Sequence, residues 1–227
     1  MEQRLKAVWQ RIEAAAAKSG RSKDDVRLVA VSKTVPIQKI ERAVSAGVTI
    51  IGENYIQEAR EKFHQIYEMP VSWHFIGHLQ RNKARHAVEM FDMIHSVDSL
   101  RLAVEIDKQA RKIDKIQEVL IQVNLAGEAT KSGISIPVAS DLIREAAHLE
   151  YVSIKGLMTM PPFFNAPERV RPYFRQLRQM RDDLLAQGIP GIEMTELSMG
   201  MTGDFEVAVQ EGATLVRIGT AIFGERR

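Results

Sequence analysis

The sequence has 227 residues, of which 45% are hydrophobic and 26% charged, a composition that supports a globular domain with a sizeable core. Its 31 basic and 29 acidic residues nearly balance and it contains no cysteine, which argues against a nucleic-acid-binding face and excludes disulfides, thiolate nucleophiles and cysteine-ligated zinc. The N-terminus is charged throughout and no apolar run approaches the roughly 18 residues of a membrane span, so we expect a cytoplasmic protein that binds no membrane.

The predicted elements follow one regular order along the chain. A helical pattern from Glu2 to Lys18 comes first and ends at Ser19-Gly20. Short β-branched runs then alternate with amphipathic stretches. The predicted strands are Val26–Ser32, Thr49–Gly52, Ser72–Ile76, Met93–Val97, Glu118–Val123, Ser153–Met158, Met194–Ser198 and Leu215–Ile218. The helices between and after them are Pro36–Ala46, Asn54–Ile66, Gln80–Glu89, Ser99–Ile113, Ile136–His148, Ala166–Ala186 and Gly203–Glu211.

This alternation predicts an α/β protein with a parallel sheet. Eight strands are the number that closes such a sheet into a (β/α)₈ TIM barrel, which we expect here with one extra N-terminal helix. An open doubly wound sheet is the competing architecture, but no GxGxxG turn is present. Because no linker or low-complexity tract interrupts the chain, we expect one domain over residues 1–227.

Lys33 stands at the carboxyl end of the first predicted strand, the face on which barrel enzymes build their sites. A lysine amine that is desolvated there becomes a nucleophile toward an aldehyde. By itself, the position is equally typical of a lysine that extends its ammonium group into solvent. The residue alone therefore leaves both interpretations open.

The segments after the last two strands indicate an anion site. Barrels commonly bind phosphate with the loops that follow strands seven and eight. Here these segments offer Ser198 and Met199 on one side and Gly219 and Thr220 on the other. Tight turns and helix caps are the alternative use of such residues. Strand alternation also turns Arg217 into the barrel, where a charge needs a partner or a ligand.

Six segments together carry a resemblance to a known family. They are LVAVSKTVP, IIGENYIQEA, WHFIGHLQRNK, GLMTM, LSMGMTGDF and VRIGTAIFG. In this order and over essentially the whole chain, they resemble the pyridoxal phosphate homeostasis protein family. That family is similar to the N-terminal domain of alanine racemase, a fold-type III barrel that binds pyridoxal 5′-phosphate (PLP).

The resemblance implies a set of PLP-binding residues, with Lys33 as the Schiff base and Arg217 as the partner of the pyridine nitrogen. It places Asn54 and His74 near the ring, and Met158 or Met160 in the pocket lining. The phosphate would lie against Ser198, Met199, Gly219 and Thr220. Thr202 stands where serine is expected, and Ala213 where a small polar residue is common; neither change weakens the expectation of cofactor binding.

Other polar residues near these motifs have simpler interpretations. Glu53 and His78 are either partners of the site residues or solvated loop groups, and we favour the second. His95 is expected to pack in its strand. Because His86 and His95 lack a metal-ligand spacing, we expect no metal site.

The chemistry favours a cofactor holder over an efficient enzyme. A guanidinium only donates hydrogen bonds, so Arg217 would keep the pyridine nitrogen unprotonated and weaken the electron sink. The second base of alanine racemase comes from another domain, and this sequence ends at Arg227. We expect a protein that takes part in PLP and amino-acid homeostasis, with PLP-dependent apoenzymes as recipients and a monomer favoured over a dimer. A weak PLP-dependent racemase and a phosphate-binding barrel without imine chemistry are the alternatives.

Overall fold

Eight parallel strands close into a barrel in sequence order, and the last strand pairs with the first. The computed structural model describes residues 1–128 and 132–225, so Arg227 lies outside it. The strands are β1 (Arg27–Val31), β2 (Ile50–Glu53), β3 (Ser72–Phe75), β4 (Met93–Val97), β5 (Gln117–Val123), β6 (Val152–Thr159), β7 (Ile192–Ser198) and β8 (Leu215–Ile218). Each lies within two residues of its predicted bounds, which confirms the barrel.

Helices connect the strands and surround the barrel. They are α1 (Glu2–Lys18), α2 (Ile37–Ser45), α3 (Ile56–Ile66), α4 (Ala84–Met90), α5 (Leu100–Arg111), α6 (Ile136–Ala146), α7 (Arg171–Ala186), α8 (Phe205–Gln210) and the short α9 (Thr220–Phe223). In the described part of the chain, no helix is long and apolar enough to cross a membrane.

Two of the predicted helices begin with a separate 3₁₀ turn. The turn Arg81–Lys83 precedes α4, and the turn Pro167–Val170 precedes α7. Pro172 is in the first turn of α7 because proline has no amide hydrogen for an interior position. The sequence analysis also missed α9, which falls in the segment that it treated as a loop after β8.

Side chains of the strands divide between two apolar layers. Ala30, Val216 and Ile218 point outward and belong to the large core between barrel and helices. The inner layer is a smaller cluster that fills the barrel, composed of Val29, Ile50, Ile76, Met93, Leu120, Met158 and Leu215. Arg217 extends into the interior with Leu215, as strand alternation predicts.

Candidate functional site

A cavity of about 240 Å³ opens at the carboxyl ends of the strands. Its lining comes from six of the eight strands or the segments after them: Val31, Lys33, Asn54, Ile76, Met160, Met201, Thr202, Arg217, Gly219 and Thr220. Lys33 and Arg217 therefore face one cavity, although 184 positions separate them in the sequence. Six of the ten residues that the sequence analysis proposed for the site lie in this lining.

The other four proposed residues lie outside the lining. His74 and Met158 are buried inside the barrel. The Met199 amide donates to the Leu215 carbonyl over 3.1 Å, and its side chain packs in the outer core. Ser198 is buried at the end of β7, paired with Leu215. Ser198 and Met199 were predicted to offer a hydroxyl and an amide to an anion; in this structure the Ser198 hydroxyl contacts Arg217 and His95, and the Met199 amide bonds to Leu215.

Two threonines stand instead where the segments after β7 and β8 meet. The Thr220 hydroxyl lies 3.2 Å from the Thr202 hydroxyl, and both residues line the cavity beside Gly219. A Cβ atom at Gly219 would lie 3.3 Å from the Val31 carbonyl oxygen, so the backbone at this position passes close to β1. This arrangement offers two hydroxyls to an anion from two different segments.

A chain of hydrogen bonds inside the barrel holds Arg217. Nδ1 of His74 lies 2.9 Å from Nε2 of His95, and Nδ1 of His95 lies 2.9 Å from the Ser198 hydroxyl. Arg217 donates to this hydroxyl over 2.5 Å and to the Thr159 carbonyl over 2.9 Å. All four side chains in the chain are buried. Two donors of the guanidinium are therefore engaged, and its orientation toward the cavity is fixed.

Arg217 also sets the direction of donation along this chain. A guanidinium has no acceptor, so the Ser198 oxygen accepts from Arg217 and has its own proton to give. When Nδ1 of His95 accepts a hydrogen bond from the Ser198 hydroxyl, Nε2 of the neutral His95 ring carries the proton and donates to Nδ1 of His74. Burial lowers the pKa of His74 to about 3 and that of His95 well below its usual value, so both rings are neutral. Burial lowers the pKa of Arg217 to about 10, which leaves it protonated at neutral pH.

The two buried histidines predict a loss of stability in mild acid. The unfolded chain binds protons on both rings below a pKa of roughly 6.5, whereas the folded protein does not. The free energy of unfolding should therefore fall by about 4 kcal/mol between pH 7 and 5 from these two groups together. Urea unfolding across this range measures the fall.

His95→Gln should remove about half of this pH dependence, because His74 is then the only member of the buried pair that gains a proton on unfolding. His64→Gln changes an exposed ring and serves as the matched control. A His95→Gln variant with the wild-type slope would contradict the assignment of the neutral buried pair.

Glu53 is not the solvated loop group that the sequence analysis favoured. Its carboxylate is fully buried, accepts from the Ser32 hydroxyl over 2.5 Å and pairs with Lys62 over 2.7 Å. Burial raises the pKa of Glu53, and the Lys62 charge opposes that rise. Lys62 was missed as well, although it interrupts the buried face of α3 between Ala59 and Ile66. His78 is half-exposed beside Asp98, as expected for a loop residue.

Asn54 carries an unsatisfied group at the cavity. Its Oδ1 atom is buried and has no hydrogen-bond partner among the described residues. Gly77 packs directly on its backbone, because a Cβ atom there would lie 2.1 Å from the Asn54 carbonyl oxygen. A ligand in the cavity would supply the partner that the Asn54 side chain lacks.

The class of protein to which this barrel belongs is shown by its family: residues 3–227 match the family described as alanine racemase, N-terminal domain. A pyridoxal phosphate homeostasis protein of Aquifex aeolicus is 44% identical over 225 residues, covering 99% of this chain and 98% of that protein. The chain therefore belongs to the alanine racemase N-terminal domain family and, within it, to the pyridoxal phosphate homeostasis proteins.

Solved structures agree with this placement. PipY of Synechococcus elongatus PCC7942 without PLP superposes with a TM-score of 0.89 at 36% identity, covering 99% of this chain and 100% of that one. PipY with PLP bound gives 0.82 at 39% identity, covering 88% and 93%. The relatives' names describe homeostasis and name no reaction.

Proposed function

We propose that this protein holds PLP in the cavity at the carboxyl ends of the strands, attached to Lys33, and takes part in PLP homeostasis. The observation that carries the proposal is one cavity that combines a lysine, a buried guanidinium and two paired threonine hydroxyls. The unsatisfied amide oxygen of Asn54 supports a polar ligand there. The PLP-bound state of PipY, a 39% identical relative, supports PLP as that ligand.

The proposal gives a role to most of the lining residues and to three buried residues behind them. The Lys33 amine would bond to the aldehyde carbon, and Arg217 would donate to the pyridine nitrogen. Thr202, Thr220 and the backbone at Gly219 would hold the phosphate. Asn54 and Met160 would lie along the ring. His74, Met158 and Ser198 lie deeper in the barrel, where they fill the interior and orient Arg217. When bound, PLP supplies an aldehyde and a ring that accepts electrons.

The same lining disfavours efficient catalysis. Racemisation needs a second base opposite the lysine, and among the described lining residues Lys33 is the only amine or carboxylate. Arg217 can only donate, so it keeps the ring nitrogen unprotonated and the ring a weak electron acceptor. We therefore propose a holder of PLP and not a racemase. Transfer to PLP-dependent apoenzymes, a single-domain monomer and a cytoplasmic location belong to the same proposal.

Borohydride trapping tests the proposal directly. The purified protein is mixed with PLP, reduced with borohydride, digested and analysed by mass spectrometry. We expect one pyridoxyl group on the peptide that contains Lys33, together with loss of the yellow colour on reduction. A protein that binds PLP with no trapped adduct would favour the phosphate-binding barrel, and a protein that binds no PLP would overturn the proposal.

A further inference from the structure

Lys33 is the second residue of a tight turn at the end of β1. The Val35 amide donates to the Ser32 carbonyl over 2.9 Å, which closes the turn around Lys33 and Thr34. Thr34 has φ = 60°, in the left-handed region that side chains other than glycine rarely adopt. A conformation of this kind persists only where the surrounding structure holds it.

Side chains from β2 and α3 hold both neighbours of Lys33. The Lys62 ammonium group donates to the Ser32 carbonyl, to Glu53 and to Glu58, each over 2.7 Å. Glu53 accepts from the Ser32 hydroxyl over 2.5 Å, and Glu58 accepts from the Thr34 amide. We call these three side chains, Glu53, Glu58 and Lys62, the turn clamp.

Lys62 connects the members of the clamp. An ammonium group has three donors, and all three are used here. The Lys62 side chain is only 9% exposed, and the Glu53 side chain is fully buried. Water therefore solvates neither charge well, and each is compensated by the other. Loss of Lys62 would release the Ser32 carbonyl from its side-chain partner and leave the Glu53 carboxylate unpaired.

We propose that Lys62 is a positioning residue for Lys33: through the clamp it holds the Ser32–Val35 turn in the conformation that directs the Lys33 amine into the cavity. The inference rests on the proposed function, because it concerns the amine that would bond to PLP. The competing explanation is purely structural, in which Lys62 only neutralises Glu53 and ties α3 to the barrel.

A double variant separates these explanations. Lys62→Met leaves a buried carboxylate unpaired, so it should lower Tm whichever explanation is correct. Lys62→Met combined with Glu53→Gln removes that charge while keeping an acceptor for Ser32, so Tm should recover toward the wild-type value. If Lys62 positions Lys33, trapping of PLP in the double variant should still be at least about tenfold slower than in the wild type.

Hydrogen exchange in the PLP-free protein gives a second, independent readout. The amides of Thr34 and Val35 should exchange at least about tenfold faster in the double variant than in the wild type, because the turn is no longer held. This measurement needs no cofactor. If the wild type failed to trap PLP, the proposed function would fail while exchange would still decide whether Lys62 holds the turn.

Two further variants complete the test. Lys115 is also a partly buried lysine that donates to two backbone carbonyls, Val88 and Phe91, but it lies before β5 at the opposite end of the barrel. Lys115→Met should lower Tm and leave trapping unchanged. Glu58→Ala frees the Thr34 amide while Glu53 and Lys62 stay paired, and it should slow trapping even if the double variant does not fold. Wild-type trapping and exchange in Glu58→Ala, or in a folded double variant, would overturn the inference.

Discussion

Replacing Lys33 by alanine is expected to abolish covalent attachment of PLP. The amine at the cavity is lost, and no other described residue of the lining carries one. Contacts from Arg217, Thr202 and Thr220 would remain, so weaker, noncovalent binding should persist. We expect the affinity to fall at least about tenfold, which corresponds to about 1.4 kcal/mol. Absorbance and trapping measure the covalent attachment, and equilibrium binding measures the noncovalent affinity.

Two controls make the Lys33 result specific. Lys33→Arg preserves the positive charge but not the nucleophile, because a guanidinium stays protonated. It should therefore lose the visible absorbance of the imine as completely as the alanine variant. Lys39→Ala removes an exposed lysine of α2 and should behave as the wild type. A pyridoxyl group trapped on another lysine of Lys33→Ala would show that the attachment point lies elsewhere.

Arg217→Glu is expected to raise the pKa of the pyridine nitrogen of bound PLP by about 1 to 3 units. A carboxylate at hydrogen-bond distance favours the protonated, positively charged nitrogen, whereas the positive guanidinium disfavours its protonation. In the wild type Arg217 cannot turn away easily, because Ser198 and Thr159 engage two of its donors. The measurement is the nitrogen-15 chemical shift of labelled, borohydride-trapped PLP as a function of pH, since the covalent bond keeps the ring in place.

Arg217→Met is the matched control for this substitution. It removes the donor without adding a carboxylate, so the pKa of the ring nitrogen should lie between the wild-type and Arg217→Glu values. An identical titration in all three proteins would mean that Arg217 does not contact the ring. A raised pKa in Arg217→Glu without racemase activity would agree with the absence of a second base from the described lining.

The hydrogen-bond chain behind Arg217 determines which groups orient this guanidinium in the proposed cofactor site. Arg217 is oriented by Ser198, which in turn contacts His95, and no carboxylate hydrogen-bonds to the guanidinium among the described residues. An aspartate at this position would require a different set of partners. If Arg217 is the partner of the ring nitrogen, as proposed, the interior is arranged around a group that can only donate to the ring.

The sequence by itself determined the barrel, the position of Lys33 at the end of β1 and the inward direction of Arg217. These features follow from local regularities: alternation with a period of two, amphipathic helices, and glycines at the turns after β7 and β8. The motifs also predicted the correct family, because they recur in order over the whole chain.

Only the tertiary structure decided which groups the polar residues of the strands contact. The partners of the Ser198 hydroxyl, Arg217 and His95, could not be predicted, because barrel closure brings His95 into contact with it from 103 positions away. Glu53 was expected in solvent but is paired with Lys62 from α3. Alternation indicates the side of a strand on which a residue lies, but the depth of that residue and its partners depend on how distant strands and helices meet.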